Sequence, residues 1–177
     1  MSAAEVWFLR AEAALRGYTS ENVESCYKQG ITVSFSQWDA SGVSEYLEND
    51  LKPAPYTDTF DKEFDAAATT DITPKWDESA TTEKKLERII TQKWLALYPE
   101  GCEAWAEQRR TGYPQLFKVV VNNSGNTIST EDMIRRVFFN QDYKTDNKAL
   151  YDALVSKLGG ADNGGTRLWW DAGRNNF

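Results

Sequence analysis

The stretch Arg88-Ile-Ile-Thr-Gln-Lys-Trp-Leu-Ala-Leu-Tyr-Pro-Glu-Gly-Cys-Glu-Ala-Trp-Ala-Glu-Gln-Arg-Arg-Thr-Gly-Tyr-Pro114 decides the fold class. Helical patterning begins just before it, at Thr82. Leu86, Ile89, Ile90, Trp94 and Leu97 recur at helical spacing and form one apolar stripe. Pro99-Glu-Gly101 ends that helix, because proline has no N–H to donate and glycine relaxes the backbone. A second helix runs through Ala104, Trp105 and Arg109, and Gly112-Tyr-Pro114 is a stop signal.

Working outward, residues 3–16 read as helix, with Ala4, Trp7, Phe8, Ala11 and Leu15 on one face. Val6, Leu9, Ala13 and Ala14 thicken that face until only a narrow polar strip of Glu5, Glu12 and Arg16 remains. A helix apolar over most of its girth needs packing partners on more than one side. Gly17 supplies the stop. Ser20 is a candidate N-cap for a second helix over 21–38, whose face carries Val23, Cys26, Tyr27, Gly30, Ile31 and Ser34, extended by Phe35 and Trp38. So short a connection predicts an antiparallel hairpin burying Trp7, Phe8, Ala11, Tyr27 and Ile31.

Residues 43–48 read as a short helix and 51–81 as an irregular insertion, with Pro53, Pro55 and Pro74 among many Thr and Asp. Residues 119–121 and 134–139 look extended, with turn chemistry over 122–126. Thr145 can cap a last helix ending at Gly159-Gly160. The expected fold class is therefore mainly α, with long irregular loops and at most a small β ribbon.

The helix-turn-helix stretch, with its Gln-Lys-Trp and its Glu-x-Arg-Arg-Thr-Gly-Tyr-Pro ending, resembles a region of SusD/RagB-like outer-membrane lipoproteins. Ala3-Ala-Glu-Val-Trp-Phe-Leu-Arg-Ala-Glu-Ala-Ala-Leu-Arg-Gly17 resembles that family's Ala-Glu-x-x-Phe-Leu-x-Ala-Glu-Ala helix. Gly164-Gly-Thr-Arg-Leu-Trp-Trp-Asp171 resembles its C-terminal ending. All three occur in the family's order, so the resemblance extends over residues 1–177 as a single region, the C-terminal part of a SusD-like protein. It implies tetratricopeptide-like helical hairpins, although no 34-residue repeat is visible in the chain. It also implies oligosaccharide binding and delivery to a TonB-dependent, SusC-like transporter, on the surface of the outer membrane of a Bacteroidetes-type bacterium, without catalysis. The alternative is a helical interaction module that grips the transporter without touching ligand. After Arg136 the chain departs from the family, carrying Phe138, Phe139 and Asn140 where prolines around an aromatic are usual.

Composition narrows the function further. Lys and Arg number 20 against 27 Asp and Glu, a net charge of -7, which disfavours a nucleic-acid partner. Histidine is absent, so no Ser-His-Asp or Cys-His pair and no His-based metal site can be built, and no cofactor is expected. Cys26 and Cys102 are too few for a disulfide framework; each falls on an apolar stripe, where packing is the expected role. No apolar run approaches the roughly 20 residues needed to span a bilayer. Neither a signal-peptide pattern nor a lipid-bearing Cys opens the chain, so the family's lipid anchor is expected outside it. Its first helix, short of partners, suggests self-association of these residues alone.

Candidate sites are few. Glu103 and Glu107, and Asp61, Glu63 and Asp65, are carboxylates, but nothing converges them as a glycosidase requires, and solvated positions are expected. Arg109 and Arg110 suit a ligand carboxylate or phosphate, but a role at the helix C-terminus is preferred, and Arg135-Arg136 is read likewise as structural. Among 7 tryptophans, Trp7, Trp94 and Trp105 fall on helix stripes and are assigned to the core. Trp38 ends a helix and stays ambiguous. Trp76, Trp169 and Trp170 sit in polar, irregular segments and are the platform candidates for a sugar face, with packing onto the helices the preferred alternative.

Overall fold

A computed structural model describes residues 1–125, 127–131, 133–171, 173 and 175–177. Seven α-helices are present among them: α1 (Ala3–Leu15), α2 (Val23–Gln37), α3 (Val43–Leu47), α4 (Thr82–Ala96), α5 (Gly101–Thr111), α6 (Asp142–Asp146) and α7 (Lys148–Ser156), with a single 3-10 turn at Lys62–Phe64. The fold is mainly α. Its only β pairing among these residues is two isolated bridges, Tyr56 with Ala66 and Ser129 with Met133. Two compact units divide the chain: residues 1–54, 68–116 and 176–177 form the first, and 55–67 and 117–175 the second.

In the first unit α1 starts at a capping box. Ser2 Oγ accepts from the Glu5 amide at 3.1 Å, and the Glu5 carboxylate accepts from the Ser2 amide at 3.3 Å. It ends in a Schellman arrangement at Gly17, where φ is +76° and the Tyr18 amide reaches the Ala13 carbonyl at 2.9 Å. The next helix begins later than its expected Ser20 cap. Glu21 is drawn into an ion pair with Arg10, and Asn22 Oδ1 caps instead, accepting from the Ser25 amide at 2.8 Å. The resulting α1–α2 hairpin buries Phe8, Ala11, Tyr27 and Ile31, while Trp7 is half-buried against that core. Phe8 meets Tyr27 edge-on at 6.3 Å, and Tyr27 meets Trp76 at 5.1 Å. Each fully buried ring or aliphatic chain of this kind contributes roughly 1.5–3 kcal/mol. The helices come so close that a Cβ on Gly30 would sit 2.8 Å from Phe8 Cζ.

The narrow polar strip of α1 faces inward. Glu5 and Glu12 are buried, whereas Val6 and Leu9 on the thickened apolar face are exposed. Burying carboxylates is costly unless cations meet them. Lys93 of α4 sits 2.9 Å from Glu107 and 3.9 Å from Glu5. Arg110 of α5 grips Glu12 through two parallel hydrogen bonds of 2.8 and 2.7 Å and reaches Glu107 at 2.7 Å, while Arg16 adds a 2.9 Å bond to Glu12. Three carboxylates thus face three cations and tie α1, α4 and α5 together. Glu107 is therefore no solvated surface group; the expectation failed because Lys93 reaches it from the neighbouring helix α4. Arg110 stands in the last turn of α5, as the C-terminal reading expects, but its hydrogen bonds go to Glu12 and Glu107, while the Gly112 amide, at φ +80°, meets the Gln108 carbonyl at 2.8 Å. Arg109 lies over the Trp105 ring at 3.7 Å.

Three further core assignments are corrected here, those of Cys102, Trp94 and Trp105. Cys102 is exposed in the first turn of α5, while Cys26 is buried; both are free thiols. Trp94 and Trp105 are half-buried rather than enclosed, because α4 and α5 turn Leu86, Ile89, Ile90 and Ala104 toward the interior instead.

The second unit is held by two buried arginine–aspartate pairs. Arg135 binds Asp171 through Nε at 2.8 Å and Nη2 at 2.7 Å. Arg136 reaches Asp162 at 2.6 Å, and Asp162 also accepts from the Tyr151 hydroxyl at 3.1 Å and the Phe139 amide at 3.2 Å. Both arginines are thus structural. The extended segments 119–121 and 134–139 do not pair as strands; the amides of Arg135 and Arg136 donate to the Gly164 carbonyl instead. At the turn over 122–126, Asn122 Oδ1 accepts from the Ser124 amide at 3.0 Å; Asn126 lies outside the described residues. The expected last helix is two. Thr145 bonds within α6, and Asn147 caps α7 by accepting from the Leu150 amide at 3.1 Å.

Candidate functional site

The three platform candidates lie in different surroundings. Trp76, in the first unit, is 8% exposed; it packs on Tyr27 and its Nε1 donates to Glu78 at 2.8 Å. Trp169 and Trp170 belong to the second unit, where Trp169 is 89% exposed and Trp170 partly so. No single unit holds all three.

An aromatic groove of about 430 Å³ in the first unit is the more developed surface. Its floor is Phe8, Ile31, Phe35 and Ala96 from α1, α2 and α4. Trp38, just past α2, and Tyr98, just past α4, stand at its mouth with ring centroids 5.9 Å apart and planes inclined by 53°. They remain 51% and 71% exposed, an unusual state for large rings unless something covers them. Leu95 continues this exposed edge. Tyr46 supplies the polar side: its hydroxyl donates to Gln92 Oε1 at 3.0 Å. Burial pushes the Tyr46 phenol up, against a smaller opposing effect of the Gln92 bond, so it is a neutral donor at neutral pH. Apolar ring faces beside an amide and a hydroxyl are what a sugar ring, with C–H faces and hydroxyl edges, can use.

Sequence reasoning left Trp38 open and passed over Tyr98. The available signal was the pair Leu95 and Tyr98, three residues apart and off the Leu86–Ile89–Ile90 stripe. Elsewhere the carboxylates considered for catalysis have local tasks. Asp61 accepts from the Glu63 amide at 2.9 Å, and Asp65 accepts from the Asp58 amide at 2.7 Å. Among the described residues no group of three or more His, Cys, Asp or Glu is placed to hold a metal ion, and no helix is long and apolar enough to cross a membrane.

Comparison with known proteins agrees with this architecture. A sequence model of the SusD-like family, described as Susd and RagB outer membrane lipoprotein, matches residues 1–171. A chitin-binding SusD homolog from Flavobacterium johnsoniae is 47% identical with a TM-score of 0.89, over 100% of this chain and 37% of its own. A SusD homolog from Bacteroides vulgatus ATCC 8482 is 53% identical with a TM-score of 0.88, over 100% of this chain and 36% of its own. One from Bacteroides thetaiotaomicron VPI-5482 is 40% identical with a TM-score of 0.89, over 99% and 38% respectively. The chain thus spans little more than a third of these structures. No curated protein matches it. The motifs that carry Glu5, Glu12, Lys93, Glu107 and Arg110 are those whose side chains interlock in the core, and with the family match across residues 1–171 the chain belongs to the SusD-like family of Susd and RagB outer membrane lipoproteins.

Proposed function

We propose that these residues serve a protein that captures oligosaccharides at the bacterial outer membrane and passes them, uncleaved, to a TonB-dependent SusC-like transporter. Family membership supports the class of function. The observation that carries the reading is the groove with Trp38 and Tyr98 at its mouth and Gln92 and Tyr46 along its polar side. Chitin fragments are the first ligands to try, because a neighbour 47% identical is a chitin-binding SusD homolog.

Calorimetric titration of the full-length protein with chito-, cello- and malto-oligosaccharides tests this. Binding of at least one series is expected, with no product released. Replacing Trp38 and Tyr98 together by Ala is expected to weaken it about tenfold, roughly 1.4 kcal/mol. Unchanged affinity in that variant would remove the groove from the binding path.

A second reading rests on Val6 and Leu9, which α1 leaves exposed. They suit a protein surface better than a sugar. If Val6→Glu with Leu9→Glu abolished co-purification with the transporter and left glycan affinity intact, α1 would be a gripping face.

A further inference from the structure

The C-terminal signature is entered through Asn163-Gly164, the one Asn-Gly pair in the chain. Such a pair carries a reaction of its own. The glycine amide nitrogen attacks the asparagine Cγ, a C–N bond forms, and ammonia leaves behind a five-membered succinimide. Water then opens that ring at either carbonyl, giving Asp or its isomer isoAsp, in which the main chain runs through the side-chain carboxyl. Glycine favours the attack because it has no side chain to shield its nitrogen.

The second unit holds both reactants still. The Gly164 amide, which must lose its proton to attack, donates to the Thr127 carbonyl at 2.9 Å. The Gly164 carbonyl in turn accepts from the Arg135 amide at 2.7 Å and the Arg136 amide at 3.3 Å. Asn163 Oδ1 accepts from the Gly165 amide at 3.1 Å and the Thr166 amide at 2.9 Å. Donors so placed favour negative charge on that oxygen, so the block lies with the nitrogen and not with the carboxamide. The adjacent carboxylate is no free base either: Asp162 is taken up by Arg136, the Tyr151 hydroxyl and the Phe139 amide. Nor does the packing admit a bulkier, slower residue after Asn163. Gly164 is buried, and a Cβ on it would lie 2.9 Å from Ile128 Cγ1.

We propose that Asn163 is a modification site gated by the fold, intact while Thr127 holds the Gly164 amide and converted to isoAsp or Asp when that contact opens. Conversion is one-way, as chemical change of an opened chain generally is. An isoAsp inserts one extra carbon into the main chain, which moves Gly164 off Thr127, Arg135 and Arg136 together. A molecule whose second unit has stood open is thereby kept from closing it. The site is independent of the groove, and its failure would leave the capture reading standing.

The test incubates the full-length protein in mildly alkaline buffer, folded and in denaturing urea, and follows conversion of Asn163 by peptide mass spectrometry. Conversion is expected to be at least about tenfold faster in urea, since local opening must precede it in the fold. Ile128→Ala, which loosens the packing over Gly164, is expected to speed conversion in the folded protein and to leave the rate in urea unchanged. After urea is removed, the deamidated pool, isolated by ion exchange, is expected to exchange the Arg135 and Arg136 amides faster than an Asn163→Asp protein does, because only isoAsp lengthens the chain. Equal rates in folded and denatured protein, or no conversion in urea, would overturn the gated site. A folded Ile128→Ala protein as slow as the original would overturn the Thr127–Gly164 contact as the gate. Full recovery of protection by the deamidated pool would overturn the block on closing.

Discussion

Arg110 and Glu12, 98 positions apart in the chain, meet as a two-pronged fork: Nη1 to Oε1 at 2.8 Å and Nη2 to Oε2 at 2.7 Å. The contact fastens the end of α5 to the last turn of α1. Removing the cation leaves Glu12 with Arg16 alone and Glu107 with Lys93 alone, each short of half its counter-charge. Arg110→Met is therefore expected to cost about 2–3 kcal/mol, below the roughly 3–5 kcal/mol of a fully enclosed pair because the guanidinium is partly solvated. Urea denaturation measures it. In a double-mutant cycle with Glu12→Gln the two losses should fall short of additive by more than about 1 kcal/mol; additive losses would mean that the fork contributes nothing.

The same fork sets an acid response. Burial by itself would raise the Glu12 carboxyl, but the hydrogen bonds and charges of Arg110 and Arg16 outweigh it and hold Glu12 below its ordinary 4.5. A carboxyl lowered in the folded state stabilises the fold fully above its unfolded value, and that contribution fades as pH falls through the folded one. Stability should decline below about pH 4.5, and Glu12→Gln should be less stable at neutral pH yet show a shallower decline. Thermal melts between pH 7 and pH 3 report both; parallel curves for the two proteins would rule Glu12 out.

Gly30 is the tightest point of the hairpin, since an added Cβ would lie 2.8 to 3.0 Å from three ring atoms of Phe8. Helix propensity alone would favour alanine there by about 1 kcal/mol. Overpacking of a filled core costs about 1–3 kcal/mol, so Gly30→Ala should be destabilising on balance. Phe8→Leu, itself a loss, should make the Gly30→Ala step less harmful. A stabilised Gly30→Ala protein would show that the hairpin has room to spare.

In the second unit Asp171 closes on Arg135 with both oxygens and also receives Arg167 at 3.0 Å. Asp171→Asn should weaken this unit by about 3 kcal/mol or more, by leaving Arg135 without its counter-charge. Hydrogen exchange would locate the loss: amides of residues 133–139 should exchange faster while those of α1 and α2 keep their protection.

Much of the fold was legible because its signals are local. Gly17 and Gly112 announced helix ends, and Pro99 with Gly101 announced the break between α4 and α5, since each acts through its own backbone. What escaped reading depends on contacts distant in sequence. Glu107 looks like a surface charge until α4 brings Lys93 against it, and the reach of Arg110 beyond its own helix is hidden until α1 brings Glu12. Cys102 fits an apolar stripe by spacing, but the first turn of α5 presents it to solvent. The groove was harder still. Trp38 and Tyr98 come from the ends of two helices 60 residues apart, and only their juxtaposition makes a surface of them.

The closed set of Glu5, Glu12, Glu107, Lys93, Arg110 and Arg16 also constrains how this protein can change over generations. Neutralising one member leaves an odd charge in a place water barely reaches, so single steps there are selected against even when the end point is sound. An apolar replacement of the whole set can be as stable as the original, yet the path to it crosses unstable intermediates. Drift at these six positions should therefore be concerted, a carboxylate departing with its cation. The Ala-Glu and Arg-Arg-Thr-Gly-Tyr-Pro signatures would then persist through this historical lock as well as through any demand of the ligand.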